Sequence, residues 1–331
     1  MIRREPNTTR QPISPWPHRL AWVLACATFF LLYVGGSVTT YNAGMAVPDW
    51  PTTEGAWFYP VGKWLAADWD LFLQHGHRML AQAVGLITIA LAVTLWRLDP
   101  RKWMRWLAVA AVAGVVFQGV LGGLRVWGDE LVLAKVHGST GPLFFALTAA
   151  LVALTSTRWQ QGGPAQAHPA ARPLHRLATV CVLALYVEIV LSVPLRHVSL
   201  LDAPGWFVLW VWLKLIATGL IAVGVLWLFV HVARRVNTEA MVVRRAQLLV
   251  ALFVAQLLLG AGTWVTNLGW PLWFREYFWP MVYTVVAEGR LQAVTTTVHA
   301  AAGSLSLVVA LSLALWSRRL LKPRASVKGA P

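Results

Sequence analysis

Long apolar runs separated by short polar segments dominate the hydrophobic pattern of this 331-residue chain. Each run is about 20 residues or longer, which is the length that a helix needs to cross the hydrocarbon core of a bilayer. The pattern predicts an all-α, polytopic membrane protein with eight transmembrane helices. We expect these helices at residues 19–40, 72–96, 103–126, 131–155, 174–195, 205–232, 242–265 and 292–317.

The charged residues between the runs predict the orientation of the helices. Arginine and lysine cluster before the first run, after the eighth, and in every second connection between them. Cytoplasmic loops of membrane proteins carry this excess of cations. Both termini are therefore expected in the cytoplasm. The net charge of +15 follows from this topology and indicates contact with membrane lipid rather than with nucleic acid.

A polar stretch rich in glycine, proline and alanine divides the chain between the fourth and fifth runs, and this composition is typical of a linker. We expect an N-terminal four-helix half at 1–155, a cytoplasmic linker at 156–173 and a C-terminal four-helix half at 174–331. Short matches relate the halves, since "FQGVLGG" in the third run corresponds to "AQLLLGAG" in the seventh. The sequence therefore predicts two repeated four-helix bundles of the same orientation.

Three of the nine histidines lie near the outer ends of equivalent helices, namely His77, His137 and His299. Ionisable residues inside a membrane usually mark a functional site, and zinc, a proton relay or haem iron are the alternatives here. Zinc commonly requires about four ligands with carboxylate or thiolate help. The sequence supplies that set only if His75, Glu188 and His197 come together. The cysteines, Cys26 and Cys181, lie inside apolar runs and read as packing residues.

A haem requires only one imidazole on each face of its ring, with small residues around it and cations near its propionates. The spacing predicts that His77 faces His137 across a flat cofactor, with Arg78 beside the propionates. Gln74 lies three residues before His77 and shares its helical face.

Several motifs together resemble the haem A synthase family. The most specific is "VGGSVTTYNAGMAVPDWPTT" at Val34–Thr53, and "QHGHRMLA", "FQGVLGGLRVW", "KVHGSTG" and "TVHAAAG" follow in order. The resemblance covers residues 20–317. It implies eight helices in two halves and an oxidoreductase of the inner (cytoplasmic) membrane. Such an enzyme oxidises a methyl group of haem O, through successive hydroxylations, to the formyl group of haem A for terminal oxidases.

The resemblance also implies cofactors, site residues and partners. The N-terminal half would hold haem O as substrate and the C-terminal half a haem b, with iron bound by His77, His137 and His299. The family has a catalytic glutamate three residues before the first ligand, and Gln74 takes that position here. Haem O synthase, terminal oxidase assembly factors and an unidentified electron donor would be the partners.

Three departures from the family pattern favour a second hypothesis, a non-catalytic haem-binding membrane protein that carries electrons or haem. Gln74 cannot gain or lose a proton, so it cannot act as a general base. Laying "HRMLA" of the second run over "LKLIA" of the sixth puts Leu213 at the ligand position, next to Lys214. Val47 stands where many members have a loop cysteine. A transporter ranks last, because inverted repeats with broken helices are missing from the pattern.

Overall fold

The computed structural model describes residues 13–197, 203–278, 284–287 and 289–324. Within these ranges it contains eight helices that are long and apolar enough to cross a membrane, which confirms the predicted all-α, multi-pass architecture. Most of these helices extend a few residues beyond the predicted bounds. The spanning helices are α1 (Trp16–Thr40), α3 (Trp69–Leu98), α4 (Lys102–Trp127), α5 (Leu131–Thr155), α7 (Ala171–Arg196), α8 (Pro204–Arg235), α9 (Ala240–Leu268) and α11 (Arg290–Leu320).

Short elements connect the long helices. They are a 3-10 helix (Ala43–Met45), α2 (Val61–Leu65), α6 (Thr157–Gln161), β1 (Gln166–His168), α10 (Leu272–Tyr277) and β2 (Leu321–Pro323). The strands β1 and β2 pair in parallel, with Gln166 opposite Leu321. The predicted linker is thereby fastened to the end of α11, an arrangement that the hydrophobic pattern did not indicate.

Large apolar side chains cover the outer surface of the long helices. Leu86, Leu220 and Leu258 are each 69–70% exposed, although all three lie in the middle of a helix. Contiguous apolar surface of this kind is costly in water and favourable against lipid tails. The helices satisfy their own backbone hydrogen bonds, which the hydrocarbon region requires. The exposed leucines are therefore lipid-facing positions.

The buried apolar residues form two large cores. The first core joins α1, α3, α4 and α5, and the second joins α7, α8, α9 and α11. The largest fully buried side chains of the two cores include Leu24, Leu91, Met104 and Leu151 in the first and Leu174, Leu228, Leu249 and Leu313 in the second. The chain thus changes cores across the polar segment 156–173.

Helices α1, α5, α7 and α11 meet where the two cores adjoin. A Cβ on Gly36 of α1 would lie 3.2 Å from Cγ2 of Thr297 on α11, so the absence of a side chain lets the helices approach closely. The Arg196 guanidinium of α7 donates from Nη2 to the Gly36 carbonyl (3.0 Å) and to Thr40 Oγ1 (3.1 Å). Polar contacts from one arginine therefore reinforce this junction.

Candidate functional site

The imidazoles of His77 on α3 and His137 on α5 lie face to edge near the N-terminal ends of their helices. Their ring centroids are 6.5 Å apart and their planes are inclined by 86°. A metal ion that binds one nitrogen of each ring at about 2 Å requires ring centres roughly 6 Å apart. The two histidines are thus placed at the separation that a shared metal requires.

Each of the two rings rests against a glycine of a neighbouring helix. A Cβ on Gly35 of α1 would lie 2.8 Å from Cε1 of His77, and a Cβ on Gly122 of α4 would lie 3.4 Å from Cε1 of His137. The Nδ1 atoms of both rings are buried and form no hydrogen bond of good geometry, although the backbone carbonyls of Leu31 and Gln118 act on His77 and His137. Two adjacent buried imidazoles, each seated against a glycine, make this pair the candidate binding site.

The donor set at this site fits haem iron better than zinc. Nowhere in the described ranges do three or more histidine, cysteine, aspartate or glutamate side chains come together as a metal cluster. A structural zinc ion would require about four such ligands, whereas haem iron takes its four in-plane nitrogens from the porphyrin. Two opposed imidazoles between small residues are sufficient for the iron of a haem.

Cations lie around the paired imidazoles. The charges of Arg78 and Arg125 act on His77, and the charge of Arg125 acts on His137. Lys135 adds a further positive charge beside His197. This surplus of positive charge suits the carboxylates of a bound ligand, because arginine and lysine form strong charge-assisted hydrogen bonds with them.

Gln74 lies one turn before His77 and is almost fully buried, with 4% of its surface exposed. Its Oε1 accepts a hydrogen bond from the Val47 amide at 2.5 Å, and its Nε2 donates to the carbonyls of Gly44 (2.8 Å) and Val47 (3.4 Å). Both ends of the amide therefore hold the loop that follows α1. Sequence reasoning missed this role, because the loop partners are backbone groups whose identity leaves no signal.

Arg78 and His75, which also lie on α3, contact the same loop. Arg78 donates from Nη1 to the Thr52 carbonyl (2.7 Å) and from Nη2 to the Val47 carbonyl (3.0 Å). Nδ1 of His75 lies 3.0 Å from Thr53 Oγ1, in a buried contact. The end of the Arg78 side chain thus binds the backbone of the loop. The role of Arg78 in binding a cofactor stays a prediction.

The loop itself is ordered by Asp49. Thr52 Oγ1 donates to this carboxylate, and so do the amides of Glu54 and Gly55, both at 3.0 Å. Partial burial raises the pKa of Asp49, but these hydrogen bonds outweigh burial and hold the pKa below its usual value of 3.8. The ionised form of Asp49 therefore stabilises the folded loop.

The same loop covers the end of the helices at which α3 begins and α4 ends. The Trp50 ring packs so closely on Gly123 of α4 that no Cβ would fit there. Gly44 is in similar contact with the Arg125 guanidinium, where a Cβ would lie 2.8 Å from Nη1. A segment held by α3 and seated on α4 thus closes the site at the end where α3 begins.

His299, the third predicted ligand, lies on α11 and contacts no second histidine ring within the described ranges. The structure therefore brings together two of the three predicted ligands. Leu213 of α8 is 39% exposed, and Lys214 forms an ion pair with Glu188 of α7 (2.9 Å).

The fold and the site define a class of protein: a polytopic helical membrane protein with paired imidazoles enclosed under the loop between α1 and α3. Comparison with protein families narrows this class. The family model described as "Cytochrome oxidase assembly protein" matches residues 18–193, and the chain belongs to this family. The match includes nearly all of α1, the elements from α2 to α5 and most of α7, and hence both His77 and His137.

Curated relatives agree with this assignment. The chain is 29% identical over 161 residues to the heme A synthase of Brucella ovis, a stretch that covers 46% of this chain and 44% of the relative. It is 28% identical over 149 residues to the heme A synthase of Shouchella clausii, which covers 44% of this chain and 47% of the relative. The chain thus matches less than half of the length of either relative.

Proposed function

We propose that this protein is a haem A synthase-like oxidoreductase of the cytoplasmic membrane that binds haem O between His77 and His137. The observation that carries the proposal is the pair of buried imidazoles, 6.5 Å apart and each seated against a glycine of a neighbouring helix. Family membership and the two relatives named heme A synthase support the same substrate class.

The reaction converts a methyl group to a formyl group through two hydroxylations and the loss of water. Each hydroxylation consumes one O₂ and two electrons, takes up two protons and releases one water, so an electron donor is required. The bound iron supplies the redox chemistry.

The residues of the chain bind and orient the substrate. His77 and His137 would hold the iron, and Gly35 and Gly122 leave room for the two rings against the neighbouring helices. Arg125 and Lys135 would supply positive charge for the propionates. The loop over the outer end limits the access of water, which strengthens charge interactions inside the site.

The proposed setting follows from the helices and from the chemistry of the substrate. Both termini lie in the cytoplasm, and the covered site faces the outer half of the membrane. Haem O is apolar and membrane-bound, so haem O synthase supplies the substrate and terminal oxidase assembly factors accept the product.

Membranes that contain the full-length chain, supplied with haem O, test the proposal. Haem extraction followed by mass spectrometry should detect a haem with a formyl group in place of the methyl group. Membranes with His137→Ala should retain haem O unchanged. Absence of formyl-bearing haem, with the His77 and His137 haem spectrum intact, would contradict the enzymatic assignment.

A second function, non-catalytic haem binding, is favoured by one specific observation. Every polar atom of the Gln74 amide is engaged with the loop, so that position offers no proton-transferring group. A binder would hold haem through the same two histidines and release it chemically unchanged. The extraction experiment separates the two functions, because only the enzyme alters the side group.

A further inference from the structure

The C-terminal half retains one imidazole in an arrangement that resembles the N-terminal site. A Cβ on Gly260 of α9 would lie 3.3 Å from Cε1 of His299, close to the 3.4 Å between Gly122 and His137. The Nδ1 atom of His299 is also buried without a hydrogen-bond partner. One half of a bis-imidazole site is therefore present on α11.

The opposite helix does not supply the second ligand. When "LKLIA" of α8 is laid over "HRMLA" of α3, Leu213 stands at the position of His77, and leucine has no atom that binds iron. With 39% of its surface exposed, Leu213 lies on the outer surface of the bundle. A substitution at that position alone would therefore not restore a pair of facing imidazoles.

Lys214, the next residue, is held within a polar cluster between α7 and α8. Its Nζ lies 2.9 Å from Glu188 Oε1 and 2.5 Å from Ser192 Oγ. Thr218 Oγ1 donates to the same carboxylate oxygen at 2.7 Å. A lysine ammonium has three donors and no lone pair, so a lysine bound in this way cannot ligate iron.

The ion pair also resists conversion to a ligand. Freeing the Lys214 lone pair requires loss of a proton, which leaves Glu188 as an uncompensated carboxylate within a transmembrane segment. An unpaired charge at such a position is costly, because few polar groups and little water can stabilise it. The positive charges of Lys214 and Arg196 both act on His299.

We propose that the protein binds a single haem, between His77 and His137, and that the Glu188–Lys214 ion pair takes the place of the α8 ligand. The C-terminal half is then not a haem b site, in contrast to what the family resemblance implies. The inference rests on the proposed haem site of the N-terminal half. It assigns the polar cluster a structural role, in which it holds α8 against α7.

Haem content measures the proposal directly. We expect the purified full-length protein in detergent to contain one haem per chain, as determined by the pyridine haemochromogen spectrum against protein concentration. Two haems per chain would overturn the inference. Absence of haem would overturn the proposed function itself, so the two failures are distinguishable.

Matched alanine variants identify the half that binds the haem. His77→Ala and His137→Ala should each abolish most of the low-spin haem spectrum, whereas His299→Ala should leave the haem content and spectrum unchanged. His299→Gln provides a second variant if His299→Ala is not monodisperse in size-exclusion chromatography. Loss of haem from a monodisperse His299 variant would overturn the inference.

Discussion

At the scale of single residues, three glycines determine how the proposed ligands pack. His77, His137 and His299 each turn Cε1 toward a glycine of a neighbouring helix. A methyl group added at Gly35 would approach the His77 ring to 2.8 Å, which is closer than carbon atoms pack in folded proteins. The ring position is thus sensitive to the smallest possible side chain on α1.

We expect Gly35→Ala to displace the His77 ring and to weaken or shift the low-spin haem spectrum. Gly85→Ala on α3 is the matched control, because no atom lies within 4 Å of its added Cβ. The control substitution should be neutral or stabilising by up to about 1 kcal/mol, since alanine favours helix over glycine. Visible absorption spectra of the purified variants measure both effects. Identical spectra for the two variants would show that Gly35 does not position the ligand.

Gln74 is the second residue whose role depends on atomic detail. A carboxylate has the shape of this amide but cannot donate, so glutamate would face the carbonyls of Gly44 and Val47 without a hydrogen atom to share. The family pattern places a glutamate at this position. The backbone groups of this loop, however, require both a donor and an acceptor, which the amide of Gln74 supplies.

We expect Gln74→Glu to destabilise the protein by about 1 to 3 kcal/mol, the cost of losing buried hydrogen bonds. Thermal unfolding in detergent measures the change, and Gln166→Glu in the exposed linker controls for the added charge. Higher stability, or a higher yield of formyl-bearing haem, would show instead that glutamine is a handicap at this position.

At the scale of elements, the loop between α1 and α3 depends on one charge. Asp49 has a pKa below its usual 3.8 in the folded loop. A group with a lowered pKa stabilises the fold above its unfolded-state pKa, and this contribution is lost as the pH falls through the folded value. The loop should therefore loosen only in acid.

We expect the amides of Glu54 and Gly55 to exchange hydrogen faster, relative to their intrinsic rates, once the pH falls below about 3.8. Mass spectrometry of the peptide that spans the loop measures this exchange. Asp49→Asn removes the charge, so it should exchange faster at neutral pH and lose the acid dependence. An acid transition that persists in Asp49→Asn would assign the effect to another group.

The contact between α7 and α8 supplies a further prediction at this scale. Glu188→Gln leaves the Lys214 charge without its partner and should destabilise the protein by about 3 kcal/mol or more. Replacing both residues by leucine should come within about 1 kcal/mol of the original protein, because a buried ion pair contributes little over well-packed apolar residues. A double-mutant cycle by thermal unfolding in detergent measures the coupling, and additive effects would contradict it.

At the scale of the whole molecule, the eight spanning helices were predictable from the sequence, because each apolar run is long enough to cross a bilayer unaided. The pairing of β1 with β2 was not, since three-residue strands carry no periodic signal and the partners are remote in the chain. The facing of His77 and His137 followed from matching depths on equivalent helices. The hydrogen bonds from Gln74 to the loop between α1 and α3 were not predictable, because the partners of Gln74 are backbone atoms.

One long-range contact of the C-terminal half is predictable from charge. Glu188 and Lys214 are opposite charges on adjacent helices, and a charge within a membrane requires a partner. Their similar depths on neighbouring helices therefore favour an ion pair on physical grounds alone.

The Glu188–Lys214 pair also predicts a pattern of substitutions within the family. In a lineage that gains the lysine, the new charge within the membrane requires a nearby acidic side chain. Substitutions at the two positions should therefore occur together. Relatives with an acid and a lysine at the equivalents of 188 and 214 should lack the histidine on the sixth spanning helix. The residues at these two positions would then indicate, for any genomic sequence of the family, how many haems the protein binds.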